Sequence, residues 1–245
     1  MFHYIKSIVK REIKGYFNSP VAYVFIVIFL ILCGFFTFNV SNFYEARIAD
    51  LRAFFVWHPW LFLFLIPSIA MRLWAEERRS GTIEILLTLP VTTGQAVIAK
   101  FIAAWIFVGI ALALTFPLVI TVFYLGNPDV GAIITGYLGS FFLAGAYLSI
   151  GSFTSALTRN QVIAFILAVV FCLFLVLAGW PPVTSALSKF ASAGFINFVA
   201  ALSFMPHFES MQRGVIDSRD IIYYLSVIAF MLFANTAVLN SRKSG

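Results

Sequence analysis

Residues 101–128 read FIAAWIFVGIALALTFPLVITVFYLGNP, with no Asp, Glu, Lys or Arg among them. A helix needs about 20 apolar residues to cross the hydrocarbon core of a bilayer. This stretch exceeds that length, so it predicts a membrane-spanning helix. Outward from it, further charge-free stretches run over 15–44, 53–71, 130–158, 160–188, 190–208 and 221–241. Six predicted spans follow: 20–41, 54–74, 98–125, 131–157, 161–179 and 220–240. Trp57, Trp60, Trp74 and Trp180 fall near predicted ends, where indole rings favour the interface.

Composition agrees. Apolar residues make up 62% of the 245 positions and charged residues 11%, too little polar surface for a soluble domain of this length. The fold class is therefore an all-α polytopic membrane protein. Its predicted parts, in one domain over 1–245, are six transmembrane helices, an amphipathic interfacial helix over 1–17, a cytoplasmic segment over 76–95, and an extracytoplasmic segment over 180–219. The net charge of +6 reads as basic edges facing anionic lipid, not as a nucleic-acid surface. Cys33 and Cys172 both sit in apolar runs and read as small buried hydrophobes.

The stretch 190–208 is diluted by Ser192, Gly194, Asn197, Ser203, Pro206 and His207. Its best helical piece, Ala193 to Phe204, is too short to cross, and Pro181-Pro182 precedes it. This predicts short re-entrant helices before the last span, whose non-helical backbone must be covered by protein or face a wet cavity. With the N-terminus inside, Lys6, Lys10, Arg11, Lys14, Arg72, Arg78, Arg79, Lys100, Arg159, Arg242 and Lys243 lie on the inner face. Arg47, Arg52, Lys189, Arg213 and Arg219 lie outside. That is 11 against 5, in the sense of the positive-inside rule. A seven-span chain gives the same tally, so charge fixes the N-terminus and leaves 190–208 open.

In the first 17 residues, Phe2, Ile5, Val9, Ile13 and Tyr16 recur at helical spacing beside a row of Lys6, Lys10 and Lys14. This predicts a helix lying on the interface, ended by Asn18-Ser19-Pro20. After the second span comes Glu76-Glu77-Arg78-Arg79-Ser80-Gly81-Thr82-Ile83-Glu84-Ile85-Leu86-Leu87-Thr88-Leu89-Pro90. Ser80-Gly81 interrupts the helix, Thr82 to Leu89 can form two further turns, and Pro90 stops them. Thr92-x-x-Gln95 then reads as a capping box opening the next helix. Ile83, Leu86 and Leu87 give the short helix one apolar edge, on which a soluble partner can dock; a bare interfacial helix has the same periodicity. Gly136, Ser140 and Ala144 repeat every four residues in the fourth span, a spacing that lets helices approach closely, within the subunit or between two.

There is no G-x-x-x-x-G-K-[ST], zinc-ligand spacing, Gly-x-Ser-x-Gly or paired catalytic carboxylate, so the chain reads as neither an ATPase nor another enzyme. His3, His58 and His207 are far apart and read as interfacial decoration. Glu209, Asp217 and Asp220 read as a solvated outer loop, and Arg72 and Lys100 as snorkelling at helix ends. A membrane interior without ionisable residues argues against ion-coupled transport, so energy for uphill movement would enter from outside the bilayer.

The order of amphipathic helix, six spans, Glu-x-x-x-Ser-Gly-Thr-x-Glu-x-Leu-Leu-x-x-Pro and a re-entrant stretch resembles the permease subunit of an ABC-2 type transporter, over essentially the whole chain. Met205-Pro206-His207-Phe208 and Arg213-Gly214-Val215-Ile216-Asp217 resemble its gliding-motility-type branch. The resemblance implies no cofactor on this chain, with ATP and magnesium bound by a separate ABC ATPase subunit. It implies a second permease copy or paralogue, an auxiliary membrane protein with an extracytoplasmic domain, and a bacterial inner membrane; six spans from an inside N-terminus put both termini in the cytoplasm. It assigns ATPase coupling to Glu76, Glu77, Ser80, Gly81, Thr82, Ile83, Glu84, Leu86, Leu87 and Pro90. The expected function is an ATP-driven exporter subunit. The rivals are a non-transporting scaffold linking an ATPase to an extracytoplasmic partner, and an energy-independent channel.

Overall fold

The computed structural model describes residues 2–45, 49–81, 91–189 and 192–241, and among them every regular element is helical. Helix α1 (Phe2–Phe17) is followed by Ser19, whose hydroxyl accepts from Val21 N while Pro20 opens α2 (Pro20–Phe35). A π-turn over Phe36–Val40 extends α2, giving an apolar span over Pro20–Val40. A short α3 (Arg52–Phe55) leads to α4 (His58–Ala70) and α5 (Arg72–Ser80), which together form the second span, His58–Ser80. Gly81 closes α5 at φ 76°, a left-handed conformation that glycine adopts without Cβ strain.

The third span, Thr93–Leu125, comprises α6 (Thr93–Ala113) and α7 (Phe116–Leu125). Its start is the expected capping box: the Thr92 hydroxyl accepts from Gln95 N, and the Gln95 side chain accepts from Thr92 N. Asp129 caps α8 (Val130–Leu157), the fourth span, and Asn160 caps α9 (Gln161–Leu177) across a tight turn. The chain then bends by 80° into α10 (Pro181–Leu187). Next come α11 (Ala193–Ala201), α12 (Phe204–Gln212) and α13 (Ser218–Ser241), the last span. Among the described residues, five helical segments are long and apolar enough to cross a bilayer, or six if the bent α9–α10 pair is one span.

Helix α8 is the central post. It packs against α4, α6, α9, α12 and α13, and its buried surface is rich in small residues: Gly136, Gly139, Ser140, Ala144, Gly145, Ser149, Gly151, Ser152 and Ser155 are buried, beside larger Leu143, Tyr147 and Leu148. Helices in lipid associate through close packing, because lipid tails are as apolar as the side chains they would replace. Here the neighbours fill the small faces: the Phe55 ring lies over Gly136 and Ala70 Cβ over Gly151. The Gly136-Ser140-Ala144 repeat thus serves packing inside the subunit.

Several sequence expectations need correction. The helix expected over Ala193 to Phe204 is two helices broken at Leu202-Ser203. The second, α12, is anchored by buried Phe204, Phe208 and Met211. Trp74 is not interfacial: it is buried, and its indole N–H donates to Ser152 Oγ at 3.1 Å. His58 is fully buried among Phe29, Phe54, Phe55 and Phe62, with Nδ1 2.7 Å from Ser140 Oγ. Asp220 is buried rather than solvated, because His207 Nδ1 lies 2.7 Å from its Oδ1. Lys100 does not snorkel: its side chain is 5% exposed and held between carboxylates.

Candidate functional site

The predicted coupling residues begin on α5, and the structure shows how that helix is held. On the α8 side, Ser155 Oγ accepts from both Trp74 N and Ala75 N at 3.0 Å and donates to Met71 O at 2.8 Å. One serine thereby satisfies backbone groups that the α4–α5 turn leaves without helical partners. Arg78 reaches past it to donate to Ala156 O at 2.6 Å. One turn deeper, Ser152 Oγ accepts from Trp74 Nε1 and, at 2.7 Å, from Asn235 Nδ2 of α13. Spans two, four and six therefore meet at a single hydroxyl.

On the other side, Lys100 Nζ of α6 lies 2.7 Å from Glu77 Oε1 and 3.3 Å from Glu12 Oε2 of α1, with the Trp74 ring centroid 5.5 Å away. The ammonium is covered on all these sides, and its charge is compensated by two carboxylates that are themselves about one-fifth exposed. Glu76 turns outward from the same helix to bind Arg72, Nε to Oε2 at 2.8 Å and Nη2 to Oε1 at 3.2 Å. Ser80 Oγ donates back to Glu76 O at 2.9 Å. The structure brings Glu76, Glu77, Ser80 and Gly81 to the end of one helix braced against α8, α6 and α1. Thr82, Ile83, Glu84, Leu86, Leu87 and Pro90 lie outside the described residues.

Beside this anchor is an open-sided cavity of about 280 Å³, bounded by α1, α2, α4–α5 and α6. Its upper wall carries Glu12, Arg72, Glu76, Glu77 and Lys100, and its floor carries Ala22, Phe25, Ile69 and Phe107. The Tyr16 ring stacks on Phe107 at 5.1 Å. Desolvation, with Glu12 nearby, pushes the Tyr16 phenol up, so it stays a neutral hydroxyl.

Glu12, Lys100, Ser152, Ser155 and Asn235 were not among the sequence-derived site residues. Lys100 carried a signal, as the only charged residue between Thr93 and Pro128. The serines and Asn235 carried none, since nothing in a single sequence says which helices face each other. Among the described residues no group of three or more His, Cys, Asp or Glu is placed to hold a metal ion.

Residues 6–240 match a family model described as ABC-2 family transporter protein. No curated protein matches the chain.

Proposed function

Because the chain belongs to the ABC-2 transporter family, a match covering residues 6–240, we propose that this multi-pass membrane permease subunit couples a separate ABC ATPase to export through residues 76–95. The observation that carries the reading is the anchoring of α5. The helix leading into 82–90 is fastened to α8 by Ser155 and Arg78, and to α6 and α1 by Lys100. A force arriving at Gly81 therefore reaches spans two, three and four and the N-terminal helix through direct side-chain contacts. Such bracing suits transmission of an ATP-driven movement and has no evident use in a passive channel.

In this reading two permease subunits form the path in a bacterial inner membrane, and each ATPase seats Ile83, Leu86 and Leu87 in a groove, while ATP and magnesium stay on the ATPase. The gliding-motility-type branch and its auxiliary extracytoplasmic partner rest on Met205 to Phe208 and Arg213 to Asp217. The test is co-expression with the P-loop ATPase encoded nearest the gene. Wild type should co-purify with it, and Leu86→Asp with Leu87→Asp should insert normally but lose it. Retention of the ATPase at wild-type stoichiometry and turnover by the double variant would refute the docking role. Turnover that answers to a protein partner and never to cargo would favour the scaffold reading.

A further inference from the structure

We propose that the cavity between α1, α2, α5 and α6 is a binding site for the headgroup of a membrane phospholipid bearing a primary ammonium, with the start of one acyl chain on Ala22, Phe25 and Phe107. The polar wall holds three carboxylates (Glu12, Glu76, Glu77) against two cations (Arg72, Lys100), leaving one negative charge in excess. Lys100 directs its ammonium at Glu12 and Glu77 and is backed by the Trp74 ring, with its side chain only 5% exposed. The Arg72–Glu76 pair is not saturated. Arg72 commits Nε and Nη2 to Glu76, and a guanidinium has about five N–H donors, so donors remain for a phosphate. The Glu76 carboxylate offers about four lone-pair sites and uses two, so acceptors remain for an ammonium. A zwitterion with both groups a few bonds apart matches this arrangement. A quaternary ammonium has no N–H to donate, and a purely anionic headgroup would meet the excess carboxylate.

Position and size favour a lipid over a soluble ligand. The cavity sits where amphipathic α1 turns at Ser19-Pro20 into the first span, the depth at which such helices meet headgroups. Its floor is apolar, and its volume of about 280 Å³ accommodates a headgroup and the first chain carbons rather than a whole lipid. Binding here does not depend on an ATPase docking at 82–90.

The full-length chain, delipidated in detergent, is offered phosphatidylethanolamine, phosphatidylcholine or phosphatidylglycerol and examined by native mass spectrometry. A single phosphatidylethanolamine should be retained, and the other two should be held at least about tenfold more weakly, a difference of about 1.4 kcal/mol. Gly15 lines the cavity and a Cβ there meets nothing within 4 Å, so Gly15→Trp fills the space without straining the backbone. It should abolish retention while leaving the thermal unfolding temperature unchanged. Glu76→Gln should weaken retention of phosphatidylethanolamine and leave the weak binding of phosphatidylcholine as it was. Millimolar phosphoethanolamine, which has the headgroup and no chain, should fail to displace the lipid. Equal retention of all three lipids, or wild-type retention by Gly15→Trp, would overturn the site. Displacement by phosphoethanolamine at equal concentration would overturn the lipid as its occupant.

Discussion

The ammonium of Lys100 sits 2.7 Å from the carboxylate of Glu77, on the last two turns of the helix that leads into residues 82–90. Lys100 belongs to the third span and Glu77 to the second, and the lysine side chain is almost wholly withdrawn from solvent. A cation so placed has little contact with water. The pair therefore ties the second span to the third, and through Glu12 it ties α1 to both.

Removing one member of a buried ion pair leaves the others uncompensated, at a cost of about 3–5 kcal/mol. Lys100→Met strands Glu77 and Glu12 together, and is expected to lower stability by an amount in that range. Adding Glu77→Gln and Glu12→Gln to Lys100→Met removes the stranded charge and should recover much of the loss. Thermal unfolding of wild type, the single variant and the triple variant in one detergent measures this. A Lys100→Met protein as stable as wild type would mean that the three groups are solvated.

The hydroxyl of Ser152 accepts from two buried donors, Trp74 Nε1 and Asn235 Nδ2. Ser152→Ala leaves both unpaired, and an unsatisfied buried donor costs about 1–3 kcal/mol. The variant should unfold at a distinctly lower temperature. Ser152→Ala combined with Asn235→Leu should be less damaging than the sum of the two, because the second change removes one stranded donor. Strict additivity would show that the two side chains do not share the serine.

How much of this was legible in the sequence divides by the kind of interaction. The spans were, because burial in lipid is written into long charge-free runs: 131–157 was expected where α8 covers Val130–Leu157, and 220–240 where α13 covers Ser218–Ser241. The ends shifted where local chemistry took over. The third span begins at Thr93 rather than 98 because the Thr92–Gln95 box starts the helix before its apolar part. The second runs on to Ser80 because Ser155 and Arg78 hold its polar end against α8. The buried polar pairs were not legible. His58 and Ser140 are 82 residues apart and Lys100 and Glu12 are 88 apart, and only packing brings them together. Of the proposed coupling segment, the Gly81 stop was readable as a residue type and takes the left-handed conformation that a glycine stop permits.

Toward the other end of α8 from the anchor of α5, where α12 packs near Gly139 and Tyr147, Asp220 opens the last span and is 6% exposed, with His207 as its partner from α12. His207 also stacks on Tyr223, ring centroids 4.0 Å apart. His207→Ala removes the hydrogen-bond partner and the stack and leaves the buried carboxylate without them, and is expected to cost about 1–3 kcal/mol. His207→Ala with Asp220→Asn should be milder, since a neutral amide tolerates burial better than a carboxylate. Limited proteolysis between Pro181 and Asp217 reads the local effect, with faster cleavage expected in the single variant. An unchanged cleavage rate would show that α12 is held by Phe204 and Phe208 alone.

The same pair bears on topology. Helices α11 and α12 are each nine residues long, and at about 1.5 Å per residue neither approaches the thickness of a hydrocarbon core. They are separated by the break at Leu202-Ser203, and α12 is packed against α8 and α13 rather than stacked on α11 to make one long rod. The chain around Arg213 is therefore expected to lie on the side from which α13 sets out, and Gly245 on the opposite side, which is also that of the N-terminus if α9 and α10 make one span. Reporter fusions at Arg213 and Gly245 decide the matter. An extracytoplasmic signal at Arg213 with a cytoplasmic signal at Gly245 agrees with six crossings. The reverse pair would mean that 190–208 crosses as a seventh, that the buried His207–Asp220 contact is not the arrangement in the membrane, and that the last span runs the other way.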